Sequence, residues 1–174
     1  KGNAVVFEWL NSPILYQAHP CFEAVLRQGV NSGFNPAAAF HHYYSLARKF
    51  MTYLGEPGDS VKLKKLFYLL RALLSAQWIL QKRTIAPVEF DVLMDVLVKP
   101  VDPSIEGYIR QLMDDKAALG EAEGKPIRDE LRVFIDAKLA MLKEHGFTHE
   151  QRHSDSNYVQ ADWNRLFQQV LLAL

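Results

Sequence analysis

Apolar residues recur at helical spacing along almost the whole of this chain, in segments cut to length by Pro and Gly. Asn3–Leu10 is short and apolar, and Ser12-Pro13 interrupts it. Pro20–Gln28 reads as a second short helix, closed by Gly29 and Gly33. Asn35-Pro36 places a capping side chain before a first-turn proline, and the pattern then runs to Leu54. After a break at Gly55, Pro57 and Gly58, Asp59 or Ser60 can cap the next helix, which runs to about Gln81. Ala86-Pro87 opens a helix to about Val98, and Asp102-Pro103 opens one to about Leu119. The stretch 120–124 is a polar loop, Pro126 starts a helix that Gly146 ends, and the tail from about Asn157 to Leu174 is helical again. No run alternates in twos with β-branched residues, and no hairpin dipeptide joins two such runs. The pattern predicts an all-α fold: a single compact domain of about seven or eight helices over residues 1–174, with sequential helices packed as neighbours.

Composition narrows the function classes. With 174 residues, 49% apolar and 23% charged, the chain can bury one ordinary core. No apolar run approaches the ~18 residues of a membrane span, and Glu8 breaks the only apolar stretch near the N-terminus, so neither a membrane anchor nor a signal peptide is expected. A lone Cys21 leaves no internal disulfide framework or Cys-based zinc site and fits a reducing cytoplasm. The first residue is Lys rather than Met, which predicts a trimmed or processed chain.

Formal net charge is zero, yet the charges are segregated. From Ala24 to Val88 there are nine Lys and Arg against Glu56 and Asp59, and between Ser60 and Val88 there is no carboxylate. A solvated helix face ordinarily interleaves signs, because opposite charges at i,i+4 help it slightly. At 100° per residue, Lys64, Tyr68, Arg71, Ser75 and Trp78 fall in one stripe about 80° wide, opposite a core face of Leu66, Leu69, Leu70, Leu73 and Leu80. Cations in such a stripe can meet phosphate oxygens, and its rings can stack on a base or ribose. The plainer alternative is an amphipathic face with Tyr68 and Trp78 tucked under a neighbouring helix. In the preceding helix His42, Lys49 and Tyr53 share a face by spacing, with Tyr43 and Ala47, or Leu46 and Phe50, turned inward. Two adjacent helices rich in cations and rings predict a shared groove.

Other motifs lack context. His149-Glu150-Gln151-Arg152-His153 matches the spacing of a zinc peptidase helix, but no Glu follows Glu150 and no third His lies at the required distance. Adventitious metal binding by His145, His149 and His153 fits the segment better than catalysis. The stretch from Gly120 to Pro126 is one residue short of a phosphate loop, has Pro where Ser or Thr belongs and follows no strand. Cys21 reads as a buried apolar thiol, and Asp114-Asp115 point about 100° apart on a helix. No catalytic or metal-binding residue is assigned.

Several blocks occur in a fixed order: Gly2-Asn3; Glu8-Trp9-Leu10-x-Ser12-Pro13 with Tyr16; His42-Tyr43 leading to Ala47-x-Lys49; Lys64-Lys65-x-x-Tyr68-x-x-Arg71; Trp78-Ile79; and Ala86-Pro87 with Glu89-Phe90. Together they resemble the nucleotidyltransferases of the RNA-repair-pathway DNA polymerase β family over about residues 2–120. The departure is Arg71-Ala72-Leu73, where the family commonly has Arg-Pro-Leu. Family members begin with a core carrying a Gly-Ser motif and metal-binding aspartates, which this sequence lacks. The resemblance therefore implies a C-terminal helical domain parted from its catalytic half. In the full enzyme, carboxylates would hold Mg²⁺ on the nucleoside triphosphate for in-line attack. The chain itself is expected to need no cofactor. Its substrate-binding candidates are Lys64, Lys65, Tyr68, Arg71, Trp78, Lys49 and His42, and its expected partners are a nucleoside triphosphate, RNA and the N-terminal catalytic domain. The competing reading is a helical interaction or oligomerisation module whose basic face docks an acidic surface, such as its own second half in a symmetric oligomer.

Overall fold

The axis of the fold is a helix that, through its middle, leaves no face to water. The computed structural model describes residues 8–14, 20–118 and 124–148, with the single positions 165 and 168. In chain order its elements are α1 (Pro20–Ser32), α2 (Pro36–Met51), β1 (Ser60–Lys62), α3 (Leu63–Lys82), α4 (Phe90–Leu97), α5 (Pro103–Ala118), β2 (Gly124–Pro126) and α6 (Asp129–His145). The fold is helical, as the periodicity predicts. The expected helices over 3–10 and 157–174 lie largely outside the described residues.

Along α3, Leu66, Leu69, Leu70 and Leu73 are buried as the wheel predicts, but every residue from Ala72 to Gln77 is buried too. Such a helix is covered on all sides rather than amphipathic. Its most extensive partner is α2, with α4, α5 and α6 against its remaining flanks. Tyr43 and Ala47 point from α2 into this core, while Leu46, Phe50 and Leu80 pack at its edge. One cluster of buried residues runs from Ala39 to Leu142.

Local chemistry sets the boundaries. The Asn35 side chain accepts from the Ala38 amide at 2.8 Å, so the predicted cap forms, and Asp102, where a helix was expected to open, accepts from the Ile105 amide at 2.9 Å. Helix α1 continues through Gly29 to Ser32, because the burial of Val30 outweighs the glycine's entropic cost. Neither Asp59 nor Ser60 caps α3: Asp59 turns back to accept from the Glu56 amide, Ser60 enters β1, and Lys62 precedes the helix with no side-chain cap. The helix expected from Ala86-Pro87 begins only at Phe90, and Pro126, expected to start a helix, ends β2. The β1–β2 antiparallel pair, with Val61 opposite Lys125, is an addition to the all-α expectation. Three-residue strands are too short to register as alternation.

Helix α6 closes the bundle through a buried cation. Arg132, 8% exposed, donates through Nη1 to the Gly55 carbonyl at 2.8 Å and through Nη2 to that of Leu54 at 2.9 Å. These carbonyls follow the end of α2, where helical partners run out. Gly146 then ends α6, as predicted.

Candidate functional site

The five-residue stripe of α3 splits into an open part and a covered part. Tyr68 is exposed; Lys64, Lys65, Arg71 and Trp78 are half-buried; Ser75 is buried. The cause is the segment after α3. Arg83 ends the helix in the left-handed region at φ 57°, and the chain reverses. Trp78 Nε1 then donates to Thr84 Oγ1 at 3.1 Å, Ala86 is buried, and Arg71 Nη2 donates to the Val88 carbonyl at 2.6 Å. Residues 84–88 thus run back along α3 as a strap held at both ends by stripe side chains. The expectation of one continuous face from Lys64 to Trp78 is corrected accordingly: Ser75 belongs to the core.

The open part lies where the end of α2 meets the start of α3. Phe50 sits between two tyrosines, its ring centroid 6.0 Å from Tyr53 and 5.3 Å from Tyr68. Lys65 Nζ lies 4.8 Å from the Tyr53 centroid and 5.7 Å from that of Phe50, within cation–π range of both. Tyr53 and Tyr68 remain 47% and 44% exposed. Lys64 adjoins Lys65 in the first turn of α3, and Lys49 is exposed in the last turn of α2. The first turn of α3 carries no acid and no side-chain cap, so the positive end of the helix dipole adds to these lysines. His42 is exposed on α2 with its ring edge-on to Tyr43 at 5.2 Å, about 12 Å up the helix axis from Phe50, and does not join the cluster. Sequence reasoning placed Tyr53 with Lys49 and offered Phe50 only as one alternative for the inward face; the tertiary contact with Tyr68 is what makes Phe50 the centre.

The charge segregation survives folding. Among the described residues, Arg48, Lys49, Lys62, Lys65, Arg71, Lys82 and Arg83 form no ion pair. Elsewhere Arg110 bridges Asp91, Asp95 and Glu106, and Lys125 meets Asp115 at 2.5 Å, while Lys116, Arg128 and Lys138 lie over rings rather than against carboxylates. Lys65 is held over the rings with no carboxylate against it, so an external anion would meet no competing acid there.

Behind this surface is a junction that sequence reasoning missed. The Tyr43 hydroxyl, buried on α2, donates to Glu8 Oε1 at 2.8 Å. Burial pushes the Tyr43 phenol well above its usual range; the hydrogen bond and charge of Glu8 add to this, while the Arg71 guanidinium pulls the other way. Glu8, Tyr43, Arg71 and Val88 therefore tie together the N-terminal segment, α2, α3 and the strap. Glu8, Tyr43 and Arg71 sit in the sequence blocks singled out above and Val88 lies inside the last of them, which was the available signal.

The remaining motifs do not assemble. Residues 149–153, with His149, Glu150 and His153, lie outside the described residues, as do 119–123 and the Cys21 side chain. His145 is exposed, 3.9 Å from Glu144. Gly124–Pro126 form β2, and Asp115 is engaged by Lys125 while Asp114 is exposed. Among the described residues no three His, Cys, Asp or Glu side chains come together as metal ligands. No helix among them is long and apolar enough to cross a membrane.

A family model described as RlaP, the RNA repair pathway DNA polymerase beta family, matches residues 1–169. A Bacillus subtilis (strain 168) protein described as uncharacterized protein YcgL is 34% identical over 145 residues, which are 83% of this chain and 54% of that protein. The chain thus spans about half the length of this curated relative. No solved structure matches.

Proposed function

The chain belongs to the RNA repair pathway DNA polymerase beta family, and on that basis we propose that it is the substrate-binding helical domain of a nucleotidyltransferase. It holds a nucleoside triphosphate or RNA on the α2–α3 surface, while bond-making carboxylates lie in another part of the enzyme. The observation that carries this reading is the set of cations without ion pairs around exposed rings, Lys49 and Lys65 with Tyr53 and Tyr68. Lys64 shares the turn, whereas Arg71 and Trp78 serve it from behind by holding the strap. His42 stands apart from the cluster and enters only as a secondary contact to a longer ligand. Mg²⁺ would neutralise the triphosphate and both reacting oxygens in such an enzyme. Among the described residues no cluster of His, Cys, Asp and Glu side chains fits such a metal.

The test is a titration of the chain with ATP and with an RNA octanucleotide at low and high salt. Binding weakened by salt and by Lys64→Ala or Lys65→Ala is expected. No binding of either ligand at low salt sinks the reading.

One observation favours a second reading, the interaction module. A groove of about 430 Å³ is lined by Asp102, Asp129 and Glu130 together with Ile105, Val133, Phe134 and Ala137. Its carboxylates suit the basic face of another copy. A dimer in size-exclusion chromatography that salt dissolves, with no RNA binding, would favour it.

A further inference from the structure

The ring cluster at the α2–α3 corner holds more aromatic surface than one nucleotide uses. We propose that it seats single-stranded RNA of two or more nucleotides, one base stacked on Tyr53 and a neighbouring base on Tyr68, with backbone phosphates on Lys49 and Lys65. This rests on the substrate-binding reading above and narrows it from nucleotides in general to a strand.

Three observations point this way. First, Phe50 separates the two exposed tyrosines by ring spacings of 6.0 and 5.3 Å, so both lie within reach of one short strand. A mononucleotide would cover one ring and leave the other in water. Second, Arg71, the α3 cation best suited to gripping phosphate bidentately, is turned under the strap to the Val88 carbonyl. What remains outside is Arg48 and Lys49 at the end of α2 and Lys65 at the start of α3, charges spread over two helix ends that suit successive backbone phosphates better than one compact triphosphate. Third, Tyr53 and Tyr68 are the only large exposed apolar side chains among the described residues from Glu23 to Asp91. Rings and cations without exposed aliphatic side chains make a stacking platform; a protein-docking patch would carry aliphatic surface as well. Stacking of this kind is tolerant of base identity, because every base has a π-face.

The experiment is fluorescence anisotropy on the full chain with a labelled oligoadenylate octamer, competed by ATP, an adenylate dinucleotide, a tetranucleotide and a duplex RNA of equal length. Affinity is expected to rise at least tenfold from ATP to the tetranucleotide, with the duplex a weak competitor. Tyr53→Ala and Tyr68→Ala should each weaken octamer binding roughly tenfold. Tyr53→Phe and Tyr68→Phe, which keep the ring, should bind like the parent, and circular dichroism melts confirm folding of all four. If ATP or the duplex competes as well as the octamer, or the Ala variants bind unchanged, the strand inference is overturned while the substrate-binding reading stands. If neither ATP nor any RNA binds at low salt, both are overturned.

Discussion

Tyr43 shows how one side chain joins stability to architecture. Its hydroxyl is buried and donates to Glu8, so the neutral phenol is the form the fold wants, and its ionisation is pushed above the ordinary value of 10.0. A group whose folded pKa is raised contributes stability that is complete below its unfolded pKa and lost as pH climbs toward the folded value. The chain should therefore lose stability above about pH 10, and Tyr43→Phe should remove that share of the loss. Urea unfolding from pH 7 to 11 reads both. At pH 7 the same substitution should cost roughly 1–3 kcal/mol, because Glu8 Oε1 loses its donor. Gly146 is constrained by space rather than by backbone angle. A Cβ there would sit 2.6 Å from Phe40 Cζ and 2.5 Å from the Leu142 carbonyl oxygen, neither of which yields easily in a packed helix pair. Gly146→Ala should destabilise by about 1–3 kcal/mol in a thermal melt.

Helix α3 and its strap act as one element. The helix lacks both a side-chain cap and an acidic first turn, so packing rather than local capping holds it. Leu73 is fully buried in it, and Leu73→Ala should cost about 2–5 kcal/mol, read as a lower urea midpoint. The strap is tied by two polar contacts, Arg71 to Val88 and Trp78 to Thr84. Arg71→Met keeps the side-chain bulk and removes the donor to Val88. Amide hydrogen exchange over 84–89 should then speed up while α5 and α6 exchange as before. Unchanged exchange would mean that packing of Ala86 alone holds the strap.

At the scale of the molecule, a net charge of zero conceals a cationic corner. The ion pairs formed by Arg110 and Lys125 draw on carboxylates of the acidic half, none of which reaches across to neutralise Lys65. Association with RNA should therefore depend strongly on salt despite the balanced total. For a single strand the log–log slope should become shallower by about 0.7 in Lys65→Ala if that lysine meets one phosphate.

The helical class, the leucine face of α3, the cap at Asn35, the helix start at Asp102-Pro103 and the uneven distribution of charge were all legible in the chain, because each follows from spacing along a single helix or from a count. Which stripe residues face water was not. A helical wheel places Lys64, Tyr68, Arg71, Ser75 and Trp78 side by side, but it cannot know that residues 84–88 fold back over the last three. It also cannot place Phe50 from one helix between Tyr53 and Tyr68 from two chain segments, or bring Glu8 to Tyr43 across 35 positions. Periodicity is a property of neighbours along the helix; exposure and partnership are set by whatever the rest of the chain lays on top, and that is decided only when the core closes.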